Sequence, residues 1–125
     1  FKTRAVLDTQ AFLRTVRMAF LFARDAANAV RLQIIPADGL KPGTLTITAT
    51  SAELGDNVSE MDALVEGEAN EIAFNAKYLI DALSAIDTPQ VALEATRSTL
   101  PGVIRPVGTG PEDYTQVIMP MQLQK

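Results

Sequence analysis

Seven carboxylates crowd one stretch of the chain: Glu53, Asp56, Glu60, Asp62, Glu66, Glu68 and Glu71. Acids grouped this way are the raw material of a divalent-metal site or of an acid/base pair. The spacing argues against both. A calcium loop needs oxygen ligands at alternate positions, a central glycine and a closing glutamate, and Asp56-Asn57-Val58-Ser59-Glu60 lacks that order. The plainer expectation is a solvated face on two strands and their turn. A carboxylate-based hydrolase using Glu60 or Asp62 stays open as an alternative. Gly108-Thr109-Gly110 lacks the further glycine, the lysine and the following helix of a phosphate-binding loop, and reads as a turn.

Two other groups could do work without catalysis. Arg14, Arg17 and Arg24 fall at spacings of three and seven residues, so on a helix they project from one side, and Lys77 could extend that stripe from a second helix. Such cations either keep a surface soluble or offer point charges to phosphates without reading bases. The run Val117-Ile118-Met119-Pro120-Met121-Gln122-Leu123 sends a strand into a Met-Pro-Met tail. Pro120 ends the ladder, so the thioethers either pack the tail down or line an adaptable apolar groove for a peptide. Both readings remain open from the residues alone.

The chain contains no Cys and no His, which removes thiol nucleophiles, Cys/His zinc sites, Ser-His-Asp triads and histidine acid/base chemistry. No metal or cofactor is expected. Fifteen acids against eleven bases leave a net charge of −4, so bulk attraction to nucleic acid or to an anionic membrane is not expected, and any such contact must be local. With 125 residues, 47% of them hydrophobic, residues 1–125 read as one globular domain able to bury its own core. No apolar run is long enough to span a bilayer and the first residues do not form a signal peptide, so a cytoplasmic location is the default. Because the chain opens on Phe1 and not Met, it is expected to be a piece of something longer.

The elements that must position these residues can be read from periodicity. One helix follows Asp8 or Thr9 and carries Phe12, Leu13, Val16, Ala19, Phe20 and Ala23 on one face, stopping between Arg24 and Ala27. A second starts near Phe74-Asn75 with Tyr78, Leu79, Ala82, Leu83 and Ile86 as its stripe, and Pro89 forbids its continuation. Strands are predicted over Ala29–Ile35, Thr44–Ala52, Asn57–Val65, Val91–Ala95, Val103–Val107 and Tyr114–Met119. Turns are predicted at Pro36–Gly39, Leu54–Asn57, Leu100–Gly102 and Gly108–Pro111. The order suggests an α+β fold of two pseudo-repeated βαβββ units, with two helices packed on one face of antiparallel sheet.

Taken together, several segments resemble the bacterial sliding clamp, the beta subunit of DNA polymerase III, in its third, C-terminal domain. The carriers are Phe74-Asn75-Ala76-Lys77-Tyr78-Leu79-Ile80-Asp81-Ala82-Leu83, Ala29-Val30-Arg31-Leu32, Leu100-Pro101-Gly102-Val103-Ile104-Arg105-Pro106 and, most specific, Tyr114-Thr115-Gln116-Val117-Ile118-Met119-Pro120-Met121-Gln122-Leu123. The resemblance implies a DNA clamp fold and a non-catalytic processivity factor: a ring of six similar domains, three from each subunit of a homodimer, encircling duplex DNA. A lone domain of this length, with a radius of gyration of ~14 Å, cannot encircle a duplex, so that function belongs to the assembly.

The resemblance also assigns residues. Arg14, Arg17, Arg24 and Lys77 would face DNA. Leu21 and Phe22, at the end of the first helix, would form part of the head-to-tail dimer contact. Asn75, Tyr78, Leu100, Gly102, Val117, Met119, Pro120 and Met121 would line a pocket that recruits polymerase, clamp loader and repair factors through a short peptide containing Gln and Leu or Phe. A free-standing peptide-binding adaptor using the same groove is a further alternative.

Overall fold

Asp8 and Asn75 start the two helices by the same device. The carboxylate of Asp8 (Oδ2) accepts from the amide of Ala11 at 2.8 Å, and the amide oxygen of Asn75 (Oδ1) accepts from the amide of Lys77 at 2.9 Å. These caps open α1 (Thr9–Ala23) and α2 (Ala76–Ser84). In a computed structural model that describes residues 2–108 and 115–121, nine strands surround them. These are β1 (Thr3–Asp8), β2 (Ala29–Ile35), β3 (Thr44–Ser51), β4 (Gly55–Asp62), β5 (Leu64–Gly67), β6 (Asn70–Asn75), β7 (Gln90–Ala95), β8 (Gly102–Pro106) and β9 (Gln116–Ile118).

The strands form two antiparallel sheets, ordered β5-β1-β7-β8-β9 and β4-β3-β2-β6. Each contains the three-strand meander of one βαβββ unit and the first strand of the other: β1 pairs with β7, and β6 pairs with β2. This exchange is what welds the two units into one body. It also finishes the helix starts symmetrically, since the amide of Thr9 donates to the carbonyl of Pro89 at 2.9 Å and the amide of Ala76 donates to the carbonyl of Asn28 at 2.7 Å. Each helix therefore begins tied to the residue that precedes the other unit's first meander strand.

The core fills the space between sheets and helices. Phe12, Val16 and Ala19 of α1 and Leu79, Ala82 and Leu83 of α2 are buried, and they join Leu32, Ile34, Leu45, Ile47, Ile72, Phe74, Leu93 and Ile104 in one cluster. α1 and α2 pack side by side. Alternation on β2 and β3 places Leu32, Ile34, Leu45 and Ile47 inward, leaving Thr44, Thr46 and Thr48 on the other face. On the larger sheet, Glu94 takes a hydrogen bond from Arg105 Nε at 3.1 Å and pairs with Arg4 at 3.4 Å, tying β1, β7 and β8 together across their outer surface.

Several expectations need correction. The predicted strand Asn57–Val65 is two strands in different sheets, because buried Ala63 lies between them with its amide bonded to the Gly43 carbonyl at 2.9 Å, where the chain leaves one ladder for the other. The expected α+β fold of two helices with antiparallel sheet is present, the strands being divided between two sheets, a division that alternation within a strand does not encode. Tyr78 is 58% exposed and stands off the buried stripe of α2, while Ile86 is buried beyond the helix end. Leu100-Pro101-Gly102 is not a simple turn, since Gly102 opens β8. The predicted strand start at Tyr114, the Thr109-Gly110-Pro111 part of the last turn, and Gln122-Leu123 lie outside the described residues.

Backbone demands bear on the site at Gly102 and in the link from α1 to β2. A Cβ on Gly102 would lie 2.5 Å from Phe74 Cζ, so glycine there allows β8 to cross directly over the buried ring. Ala27 and Asn28 both have positive φ, 58° and 61°, in the link from α1 to β2. Asn tolerates that region, but Ala pays for its Cβ.

Candidate functional site

The chain's end is the place where the two sheets are stitched a second time. β9 is the edge of the five-stranded sheet, paired with β8 through Gly102↔Ile118, Val103↔Val117 and Ile104↔Gln116. After Ile118 the chain crosses to β6, where the amide of Met121 donates to the Ala73 carbonyl at 2.7 Å. Pro120 lies between these anchors and has no amide to offer either ladder. The ladder therefore stops on one sheet and resumes at Met121 on the other.

Alternation on β9 buries Ile118 and leaves Val117 and Met119 each 64% exposed. Beside them lies α2, and between strand and helix is a groove of about 480 Å³ lined by Tyr78, Asp81, Ala82, Gln116, Val117, Ile118 and Met119. The size suits a few side chains of a peptide. Among the described residues the walls are mostly apolar, with one carboxylate and one amide.

Of the eight residues expected at a peptide pocket, Tyr78, Val117 and Met119 line this groove together. Pro120 and Met121 follow directly and are half-buried. Asn75 is committed to capping α2. Gly102 is buried beside β9, paired with Ile118 and close against Phe74, and Leu100, partly exposed, precedes it in the link to β8. The residues that sequence reasoning did not assign to the pocket are Asp81, Ala82, Gln116 and Ile118. Asp81 and Ala82 follow Tyr78 by about one helical turn, a spacing that could have found them.

The cations on and next to the helices differ from those on the sheets, while Lys2, Lys41 and Arg97, outside the sheets, are likewise exposed without an ion-pair partner among the described residues. Arg4, Arg31 and Arg105 are each paired with a carboxylate on a sheet. Arg14 and Arg17 on α1, Arg24 at its C-cap and Lys77 in the first turn of α2 are exposed, and none has an ion-pair partner among the described residues. At the same end of α1, Leu21 is 50% exposed and Phe22 is half-buried against the core. Met18, also 50% exposed, lies three residues before Leu21 and extends that apolar flank, a position the sequence reading passed over.

The acidic stretch spreads out. Asp56, Glu60 and Asp62 are exposed along β4, whereas Glu66 pairs with Arg4 and Glu71 with Arg31. Among the described residues no three carboxylates gather into a group that could hold a metal ion. No helix of the described residues is long and apolar enough to cross a membrane.

Residues 1–122 match the family described as DNA polymerase III beta subunit, C-terminal domain. The chain belongs to this sliding-clamp family. It is 35% identical to the beta sliding clamp of Streptomyces coelicolor over 127 aligned positions and 32% identical to that of Staphylococcus aureus over 123, covering 98% of this chain in both cases. Its fold superposes on the beta subunit of Thermotoga maritima with a TM-score of 0.88 at 26% identity, and on the sliding clamp of Bacillus subtilis with 0.86 at 30%. The alignments cover 99% and 98% of this chain. The clamp domain spans about a third of these relatives, 31–32% of their length. Its architecture of two helices against antiparallel sheets is theirs.

Proposed function

We propose that this chain is the C-terminal, third domain of a beta sliding clamp, a non-catalytic processivity factor acting in the cytoplasm as a ring-shaped homodimer around duplex DNA. The observation that carries this reading is the family match across residues 1–122, joined to a span of about a third of each relative. Arg14, Arg17, Arg24 and Lys77, without ion-pair partners among the described residues, suit a surface that meets phosphates, because a cation already bound to a carboxylate has less to gain there. Few such contacts are wanted, since tight phosphate binding would brake sliding.

Leu21, with Met18 and Phe22, serves as the apolar part of the head-to-tail contact between subunits, where covering a large side chain contributes roughly 1.5 to 3 kcal/mol. The groove of Tyr78, Val117 and Met119 takes the apolar anchors of a short peptide from polymerase, clamp loader or repair factors. One or two anchors with a few hydrogen bonds give roughly micromolar affinity, weak enough for clients to exchange.

Calorimetric titration of the assembled ring with a client peptide containing Gln and Leu or Phe tests the groove. Met119→Ala is expected to weaken binding about tenfold or more while thermal stability holds, because Met119 is mostly exposed and its truncation leaves no internal cavity. Unchanged affinity removes Met119 from the site.

A further inference from the structure

We infer that Asp81 makes the groove selective for clients carrying a cationic side chain next to their apolar anchor. This inference rests on the reading of the groove as a peptide site. The lining is apolar at Tyr78, Ala82, Val117, Ile118 and Met119, and its polar members are Gln116 and Asp81. Asp81 is thus the one charged side chain on the groove's walls among the described residues. The amide of Gln116 both donates and accepts, so it discriminates little between charges on a ligand.

The carboxylate of Asp81 is free to act on a ligand. It is exposed and has no ion-pair partner among the described residues. The nearest cation along the same helix is Lys77, one turn earlier. A lysine preceding an aspartate by four residues is the weaker orientation for a helical pair, and no such pair forms here. Lys77 also does not line the groove. An anchor seated between Tyr78 and Met119 excludes water from the neighbourhood of Asp81, which strengthens attraction to a ligand cation and penalises a ligand anion.

The effect is a bias and not the source of affinity. A partly exposed pair is worth about two- to fivefold in binding and fades as salt shortens the screening length. Selection among clients that share the same anchors is what a bias of that size provides.

The test uses the ring assembled from full-length subunits that carry this domain. Three synthetic peptides share the same Gln- and Leu-containing anchors and differ only in one flanking residue, Lys, Gln or Glu, placed in turn on either side of the anchor. Titration at low and high salt is expected to rank them Lys over Gln over Glu on at least one side, with steps of about two- to fivefold that shrink at high salt. Asp81→Asn abolishes the ranking, and Asp81→Lys reverses it. Equal affinities for the three peptides on both sides, all weakened by Met119→Ala, overturn the role of Asp81 and leave the groove standing. Affinities that neither Met119→Ala nor any change at Asp81 alters overturn the groove reading and this inference together.

Discussion

The amide of Met121 donates to the carbonyl of Ala73 at 2.7 Å, so the tail that leaves one sheet is fastened to the other just before α2 begins. This bond fixes the path of Met119 and Pro120 along the groove without any side-chain partner. Met121→Pro deletes the donor and keeps an apolar residue. It is expected to weaken client-peptide binding several-fold, with a drop in stability of about 1 kcal/mol from one backbone bond. Parallel calorimetry and thermal melting check it, and a large fall in stability with intact binding would mean that the bond serves folding alone.

Gly102 should not accept even a methyl group. Its Cβ would meet the ring of Phe74, which is fully buried and has no room to retreat. Gly102→Ala is expected to destabilise the domain by about 1 to 3 kcal/mol through overpacking. Circular-dichroism melting reads this directly, and an unchanged melting temperature would show that β8 shifts freely over the ring.

That glycine shows where the sequence is readable and where it is not. Helix positions, their caps at Asp8 and Asn75 and the span of β2 follow from local spacing, because amphipathic periodicity and capping are properties of neighbouring residues. Which sheet a strand joins is decided by partners far along the chain, so the change of sheet at Ala63 left no local trace. β6 buries Ile72, Ala73 and Phe74 in succession, which erases the period of two. Gly102 read as a turn for the same reason: the ring that demands glycine is 28 positions away in sequence. At the groove, the resemblance supplied Tyr78, Val117 and Met119; Asp81 lies about one helical turn from Tyr78 and was within reach of spacing, whereas Gln116 emerges only when α2 and β9 are set side by side.

Ala27 holds a conformation that glycine adopts without a steric penalty. With φ at 58° next to Asn28 at 61°, the link after α1 carries strain that a bare backbone would release. Ala27→Gly is expected to raise stability by about 0.5 to 1 kcal/mol, the relief of the Cβ exceeding the extra freedom gained by the unfolded chain. Chemical denaturation checks the sign, and a destabilised variant would contradict the assigned backbone.

The stripe on α1 should act on DNA and not on folding. Changing Arg14, Arg17 and Arg24 together to Gln is expected to alter stability by less than about 0.5 kcal/mol per site, because all three are exposed and have no ion-pair partner among the described residues. In the assembled ring the dependence of DNA affinity on salt should flatten, the logarithmic slope falling by up to ~0.9 for each phosphate that is no longer neutralised. An unaltered slope would assign these arginines to solubility.

Leu21 should matter between subunits, and Phe22, partly packed on the core, both there and within the domain. Leu21→Ala with Phe22→Ala in the full-length subunit is expected to shift the dimer toward monomer in sedimentation, with the larger share from Leu21, the more exposed of the two. A dimer that persists on dilution would place the subunit contact elsewhere.

Retention on circular against linear DNA reaches the heart of the proposal. Rings of the full-length subunit are loaded onto a nicked plasmid, washed at a salt concentration that defeats phosphate binding, and separated from free protein by gel filtration before and after a single double-strand cut. Encirclement predicts protein that stays with the circle through the wash and leaves once the cut supplies free ends. Equal release from both forms, or equal retention on both, would contradict a clamp that holds DNA by topology.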